Sequence, residues 1–464
     1  MEIILHIVQT VNKYLSNYIL VILLLGCGLW FSIKTRFVQV RCFKEGWRAT
    51  FGNIRLNGQK SASGLSSFQA LTAAIAAQVG TGNIIGASAA ILAGGPGAIF
   101  WMWIIAFFGM ATIYSEAVLA IETREVDADG AVHGGPVYYI RRAFSGKFGK
   151  FLAGFFAVAI ILALGFTGCM VQSNSIGAAF HNATGVPSWV VGVIVTALAA
   201  LVFLGNVQRL GSVTEKIVPF MAALYLGGGL LLLILNIKNV PEAFALIFRY
   251  AFQPQAIIGG AFGTALKKAI SQGANRGLFS NEAGMGSTPH AHAQANVAKP
   301  HDQGVVAMMG LFIDTFMVLT MTALVVISCL YAGNGPLSVV DGAAAAGLDK
   351  TNMAQTAFSQ FFGAGFGGLF VAICLAFFAF STVLSWNLFG KINAQYLFGK
   401  KNPKLCTTIY TLIALAFVFV GTLASNDLVW EMTDMFNNLI VLPNVIALFA
   451  LTGLVVAAVK EAKK

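Results

Sequence analysis

The chain has 464 residues, of which 57% are hydrophobic and only 10% charged, and its mean hydropathy is +0.78. These values exclude an ordinary soluble globular protein, which carries far more charge. The net charge of +11 indicates membrane topology rather than nucleic-acid binding, because Lys and Arg collect in the cytoplasmic loops of membrane proteins.

Long apolar runs begin near the N-terminus and continue to the end of the chain. The first run, residues 18–31, has no clear cleavage site after it, so we interpret it as a retained first helix and not a signal peptide. The runs are continuous and about 20 residues long, which predicts membrane-spanning helices. The predicted spans are 17–35, 67–93, 97–121, 151–180, 189–205, 217–236, 261–292, 303–332, 357–390, 406–424 and 432–458.

The positive charges predict the orientation of these eleven spans. With the N-terminus outside and the C-terminus in the cytoplasm, most of the 29 Lys and Arg residues lie in cytoplasmic loops. The predicted location is the cytoplasmic (inner) membrane of a prokaryote, with the lipid bilayer as a partner. The six Cys residues have no paired spacing, and we interpret them as small core residues.

The second span contains a segment that is a poor membrane helix. Within residues 74–86, three glycines lie among the polar residues Gln78, Thr81 and Asn83. Each glycine costs about 1 kcal/mol in a helix interior, and polar groups at membrane depth are costly unless paired. Such a segment predicts a helix that unwinds around a substrate or ion.

The seventh span contains a second segment of the same kind, residues 277–287. The seventh span comes five spans after the second, and because five is odd, the second copy runs inverted in the membrane. Glycine-rich helices also occur for tight packing alone, but two such segments at matched positions indicate a binding site near the midplane. The predicted fold is an all-α polytopic membrane protein, residues 1–464, with an N-terminal helix and loop (1–60) and a 5+5 inverted repeat (66–236 and 255–458).

Several motifs identify a family. The chain resembles the alanine/glycine:cation symporters of prokaryotes in VGTGNIIG (79–86), GGPGAIFWMW (94–103), GMATIYSE (109–116), GGPVYYI (134–140), GLFSNEAGMGS (277–287) and GLFIDT (310–315). The resemblance implies a leucine-transporter-type fold, sodium as the coupling ion, and alanine or glycine as the substrate. It predicts no catalytic residue and no nucleic-acid partner.

The resemblance and the local chemistry together indicate the substrate residues. A zwitterion needs donors for its carboxylate and acceptors for its ammonium group, and the two breaks offer amides, hydroxyls and carbonyls. Trp386 is expected to cap a small side-chain pocket, and Gln172 is either a substrate contact or a helix–helix hydrogen bond. The predicted substrate site is Thr81, Gly82, Asn83, Gln172, Phe279, Ser280, Asn281, Gly284, Met285, Thr382 and Trp386.

For sodium, the resemblance implies a site between the first broken helix and the eighth helix of the repeat core. Its oxygen ligands are expected from carbonyls and hydroxyls near residues Gln78, Val79, Asn83, Ser381, Thr382 and Ser385.

Three acidic residues lie at or near membrane depth, where carboxylates are candidates for function. Glu282 is expected to pair with Arg276 or to cap a half-helix, Glu116 to be solvated, and Asp314 to be neutral or hydrogen-bonded to a neighbouring helix. The alternatives to sodium symport are an exchanger of the same fold or a proton-coupled amino-acid transporter, in which these acidic groups would be involved.

The sequence disfavours two other classes of function, a channel and an enzyme. A channel more often forms its pore between several chains with a repeated filter sequence, and an enzyme needs a convergent catalytic cluster, which the sequence lacks. His290 and His292 are spaced i,i+2 and therefore point to different faces of a helix, which disfavours a metal site.

Overall fold

The computed structural model describes residues 2–52, 65–127, 131–205, 207–253, 261–338 and 346–462. Arg55, Lys60, Lys463 and Lys464 lie outside these residues, as does the start of the second predicted repeat at 255. In the described part, the fold is almost entirely helical, and the all-α prediction is confirmed. The one small sheet there pairs Glu125–Val126 with Val132–His133.

The helices follow one another in the order expected of a polytopic membrane protein. They are Glu2–Tyr14, Leu15–Leu20 (a π-helix), Val21–Lys34, Val38–Arg41, Phe43–Phe51, Ser67–Gln78, Gly82–Gly86 (π), Ala87–Gly94, Gly97–Glu122, Pro136–Ala143, Gly146–Ile160, Ile161–Gly168 (π), Cys169–Thr184, Ser188–Phe203, Val207–Leu235, Ile237–Asn239 (3-10), Val240–Phe252, Phe262–Asn281, Pro289–His292, Pro300–Leu311, Phe312–Leu319 (π), Thr320–Leu330, Met353–Phe362, Ala364–Phe398, Pro403–Gly421, Asn426–Ala450 and Thr452–Glu461.

Eight helices in the described residues are long and apolar enough to cross a membrane, and a bent pair, Ser67–Gln78 with Gly82–Gly94, forms a ninth span. The predicted total of eleven adds Ser188–Phe203, which is apolar but has only 16 residues, and the polar helix Phe262–Asn281. The count of eleven is therefore compatible with the structure and stays a prediction.

Three predicted boundaries were wrong. The ninth span does not begin at 357, because Gly363 adopts a left-handed conformation with φ +85° and separates Met353–Phe362 from Ala364–Phe398. The sixth span begins earlier, at Val207. The last predicted span, 432–458, covers the end of Asn426–Ala450 and the start of a separate helix.

Among the eight long apolar helices in the described residues, Gly97–Glu122 is the most enclosed by protein. It packs against Val21–Lys34, Phe262–Asn281 and Pro300–Leu311, and most of its residues are fully buried. A span that is enclosed by protein can carry polar residues, because their side chains do not contact lipid. This position allows the helix to present an acidic side chain, Glu116, to the interior.

Candidate functional site

Both predicted helix breaks are confirmed. We call Ser67–Gln78 with Gly82–Gly94 the first broken helix; its halves meet at an angle of 47°. Side chains replace the lost backbone hydrogen bonds: the Gly80 amide donates to Asn83 Oδ1 (3.0 Å) and the Thr81 amide to Gln172 Oε1 (3.1 Å). Gln172 is thus a contact of the first break, reached from a different span.

We call Phe262–Asn281 with Pro289–His292 the second broken helix. Its first half ends where Glu282 takes a left-handed conformation (φ +58°), and the chain stays irregular to residue 288, with Gly284 at φ +92° and Gly286 at φ +75°. A glycine adopts such angles without steric cost, whereas Glu282 does so under strain. The glycines of this motif therefore allow residues 282–288, which we call the unwound segment, to leave the helical conformation.

The two breaks are in direct contact. The Gln78 side chain donates to the Asn281 carbonyl oxygen (2.7 Å), and a Cβ on Gly82 would lie 3.0 Å from Ser280 Cα. A side chain at position 82 would force the two breaks slightly apart, so glycine favours this close approach. The structure therefore brings the polar residues of both motifs together at one buried place.

Asp314 joins the two breaks. Its fully buried carboxylate accepts hydrogen bonds from Asn83 Nδ2 of the first break (2.7 Å) and from Ser280 Oγ of the second (3.0 and 3.1 Å). Thr315 Oγ1 donates a further bond (2.8 Å). The expected hydrogen bond to a neighbouring helix is confirmed, and no salt bridge between described residues compensates the carboxylate.

Glu282 does not pair with Arg276, so that prediction was wrong. Its carboxylate accepts hydrogen bonds from the Trp386 indole (2.5 Å) and from the Ser287 hydroxyl. Arg276 instead forms a buried ion pair with Asp434 (2.5 Å). Trp386 is therefore bound to the unwound segment and buried beside it.

Glu116 is not solvated, which corrects the sequence-based expectation. It is fully buried and accepts hydrogen bonds from the amides of Gly284 (3.3 Å) and Gly286 (3.0 Å). Asn444 Nδ2 donates to the same carboxylate (2.6 Å) and to the Gly284 carbonyl oxygen (2.9 Å). Glu116 thus supplies acceptors for amides that the broken helix leaves unpaired.

Aromatic rings cover the second break on one side. Phe279 meets Trp386 edge to face, with ring centroids 6.0 Å apart, and Trp430 at 4.8 Å. Met285 is also fully buried. A Cβ on Gly168 would lie 2.6 Å from the Trp386 ring, so this glycine makes room for the indole.

The residues predicted for sodium divide into two groups. Thr382 Oγ1 lies 2.8 Å from the Ala76 carbonyl oxygen and 3.5 Å from that of Val79, and Ser385 Oγ donates to the Ala73 carbonyl (2.9 Å). These oxygens lie between the first broken helix and Ala364–Phe398. The Ser381 hydroxyl points elsewhere, to the Phe378 carbonyl oxygen (2.9 Å).

The other members of the sodium set point away from Thr382. The Gln78 side chain donates to the Asn281 carbonyl oxygen, and the Asn83 side chain donates to the Asp314 carboxylate, so both lie at the contact between the two breaks. His290 and His292 have separate partners, Asn393 and Gln303.

The sequence analysis missed the contribution of the helix Asn426–Ala450. Its residues Trp430, Asp434 and Asn444 contact Phe279, Arg276 and Gly284 of the second broken helix. Polar and aromatic residues recurring at intervals of three, four and seven in an otherwise apolar span are a detectable signal.

A comparison with known sequences identifies relatives over the whole chain. Residues 1–464 match the profile of the sodium:alanine symporter family. The sodium/alanine symporter AgcS of Methanococcus maripaludis is 40% identical over 98% of this chain and 96% of its own length. A putative sodium/proton-dependent alanine carrier of Bacillus subtilis is 38% identical (98% and 91%), and a probable sodium/glutamine symporter of the same organism 36% (98% and 90%).

Solved structures with the same fold are more distant in sequence. The transporter MhsT in complex with L-phenylalanine superposes with a TM-score of 0.58 at 13% identity, covering 87% of this chain and 99% of its own. A manganese transporter of Eremococcus coleocola gives 0.53 at 14% identity, with 87% and 81% covered. The leucine-transporter-type fold predicted from the motifs is thereby confirmed.

Proposed function

The chain belongs to the sodium:alanine symporter family, and from this premise we propose that it carries alanine or glycine into the cell together with sodium. It is a multi-pass membrane transporter and not an enzyme, because its family and its relatives are transporters. The specific substrate and the coupling ion are the parts that need argument, since relatives carry names with different substrates.

One observation carries the proposal: two broken helices meet at a buried place with polar groups on both. Gln78 of the first break donates to the Asn281 carbonyl of the second, and Asp314 binds both. Irregular backbone at membrane depth is tolerated only where it is enclosed in protein or lines a cavity, and such paired breaks are where transporters bind substrate and ion.

The size of the substrate is argued from what surrounds the breaks. Phe279 and Trp386 are almost fully buried and lie close to each other and to the unwound segment. Two large rings beside the binding groups leave little space for a side chain, which favours glycine and alanine. The proposed contacts with the zwitterion are Thr81, Gly82, Asn83, Gln172, Ser280, Asn281, Gly284, Met285 and Thr382, with the two rings as walls.

Sodium is proposed to bind where Thr382 meets the first broken helix. The Thr382 hydroxyl and the carbonyls of Ala76 and Val79 are neutral oxygens already close together, and unwound carbonyls are the ligands that sodium uses in such transporters. Because these carbonyls belong to one helix and the hydroxyl to another, a bound ion would hold the two helices together. This coupling favours one of the alternating open states.

Proton coupling is the alternative. Glu116, Glu282 and Asp314 are buried, and no salt bridge among the described residues joins any of them to Lys or Arg. A buried carboxylate without a cation is costly, so a proton or a bound cation at Asp314 would relieve that cost. One relative is named as sodium/proton-dependent.

Uptake into liposomes tests the proposal. We expect radiolabelled alanine to accumulate above equilibrium when a sodium gradient points inward, and neither a potassium gradient nor a proton gradient alone to replace it. Uptake driven by protons alone would refute sodium coupling and support the alternative. No uptake of alanine or glycine under any gradient would contradict the substrate assignment.

The variant Asp314→Asn separates the site from the fold. It removes the negative charge of the carboxylate, which accepts hydrogen bonds from three side chains, each worth about 1.5–3 kcal/mol. We therefore expect transport to fall by about 100-fold or more. Asp302→Asn, in the first turn of the same span, is the matched control and should transport normally.

A further inference from the structure

The helix Asn426–Ala450 presents one face to the second broken helix. Trp430 packs on Phe279 (4.8 Å), Asp434 pairs with Arg276 (2.5 Å), and Asn444 donates to the Gly284 carbonyl oxygen (2.9 Å). In an ideal helix with 3.6 residues per turn, residues 430, 434 and 444 project within an arc of about 80°. The side chain of Asn437 leaves the helix within the same arc.

Asn437 also lies at the height of the break. It is about 10 Å along the helix axis from Trp430, which contacts the end of the regular helix, and about 10 Å from Asn444, which contacts the unwound segment. Between these two heights, the second broken helix changes from regular to irregular backbone at Glu282. Helical geometry therefore predicts that Asn437 faces the second broken helix between the contacts of Asp434 and Asn444.

The amide of Asn437 is buried and unpaired. Asn437 is 3% exposed, and both polar atoms of its side chain, Nδ2 and Oδ1, are without a hydrogen-bond partner among the described residues. A buried amide with neither hydrogen bond is rare and costly, so it indicates a ligand that supplies a donor and an acceptor.

Two further unpaired polar atoms lie on the first break. Thr81 Oγ1 and Gln78 Oε1 are buried without a partner in the described part of the chain. The backbone of an amino acid supplies what these atoms lack: its ammonium group is a donor and its carboxylate an acceptor. The same zwitterion offers both to Asn437.

We propose that Asn437 binds the transported amino acid directly, donating from Nδ2 to its carboxylate and accepting at Oδ1 from its ammonium group. This inference rests on the proposed function. It extends the substrate site, which already includes Gln172 and Thr382 outside the two broken helices, to the helix Asn426–Ala450. It assigns the last long span a role in recognising the substrate, in addition to its packing.

The test uses the full chain in detergent and in liposomes, with alanine as the probe and Asn437→Leu as the variant. Leu has a similar size and removes the unpaired amide, so we expect the melting temperature without alanine to stay equal or rise. We expect the stabilisation by alanine to disappear and the KM for uptake to rise about tenfold or more. Asn437→Ser, smaller and polar, serves if the Leu variant does not fold.

Asn438→Leu is the matched control. Asn438 is the next residue, equally buried, but its Nδ2 donates to Ser16 Oγ on the first span (2.8 Å), away from the breaks. This variant should lower the melting temperature and leave KM unchanged. The opposite pattern, with KM and alanine stabilisation intact in Asn437→Leu, would overturn the inference and indicate a bound water. An unaltered protein that neither binds nor transports alanine would overturn the proposed function instead.

Discussion

At Gly80, the absence of a side chain lets three spans meet. A Cβ at this position would lie 2.5 Å from Thr382 Oγ1 and 3.1 Å from Gln172 Oε1. The first distance is far below any real contact, and neither neighbour is free to move, because Thr382 binds the Ala76 carbonyl and Gln172 accepts from Thr81. Position 80 therefore controls the geometry of the proposed sodium site.

We predict that Gly80→Ala weakens sodium binding more than it affects folding. The added methyl group displaces the Thr382 hydroxyl, and the loss of one ligand to a charge, about 1.5 kcal/mol or more, corresponds to about a tenfold higher half-saturating sodium concentration. The measurement is alanine uptake as a function of sodium.

Gly154→Ala is the control for this variant. Nothing lies within 4 Å of a Cβ at Gly154, and alanine is favoured over glycine in a helix by about 1 kcal/mol, so sodium dependence should be unchanged. An equal sodium dependence in Gly80→Ala would contradict the placement of the ion beside Thr382.

The two helix breaks, whose residues we propose to bind substrate, were predictable because glycine and polar residues interrupt apolar runs there. The partners of the acids were not. Glu282 was expected near Arg276, six residues away in the same helix, but the left-handed turn at Glu282 directs its side chain to Trp386. Such a turn depends on contacts from distant spans and leaves no mark in the local sequence.

At the scale of helices, the unwound segment 282–288 is held from one side by the span Gly97–Glu122. Glu116 accepts from the amides of Gly284 and Gly286, and Asn444 links the same carboxylate to the last long span. A carboxylate offers only acceptors, which suits a segment whose free groups are donors. These hydrogen bonds therefore stabilise the unwound conformation of residues 282–288.

We predict that Glu116→Gln loosens this segment. The glutamine side chain replaces one acceptor oxygen with an amino group that faces a donor, and leaving a buried amide unpaired costs about 1–3 kcal/mol. Hydrogen exchange in a peptide covering 282–288 should become roughly tenfold faster or more, with slower alanine uptake. Mass spectrometry of the exchanged protein measures the first effect.

Glu122→Gln provides the comparison. Glu122 ends the same helix but is exposed, so exchange in 282–288 should match that of the unaltered protein. Unchanged exchange in Glu116→Gln would mean that other contacts hold the segment.

For the whole molecule, apolar runs and two interrupted helices were enough to predict an all-helical membrane fold, and the family motifs were needed to predict the leucine-transporter type. Helix ends within the membrane were harder, as at Gly363, where a single positive φ splits an apolar run. The 5+5 repeat and the orientation of the termini remain predictions. Both follow from the sequence pattern, and the inverted repeat is the architecture in which one part of a transporter rocks against the other for alternating access.

The most direct test of sodium-coupled transport is the simultaneous flux of labelled sodium and labelled alanine in the same liposomes. Coupling at one pair of broken helices predicts that each solute speeds the entry of the other, with a constant ratio of the two fluxes over a range of gradients. Asp314→Asn should reduce both fluxes together. Sodium entry that is independent of alanine, or alanine entry that is independent of sodium, would contradict the account.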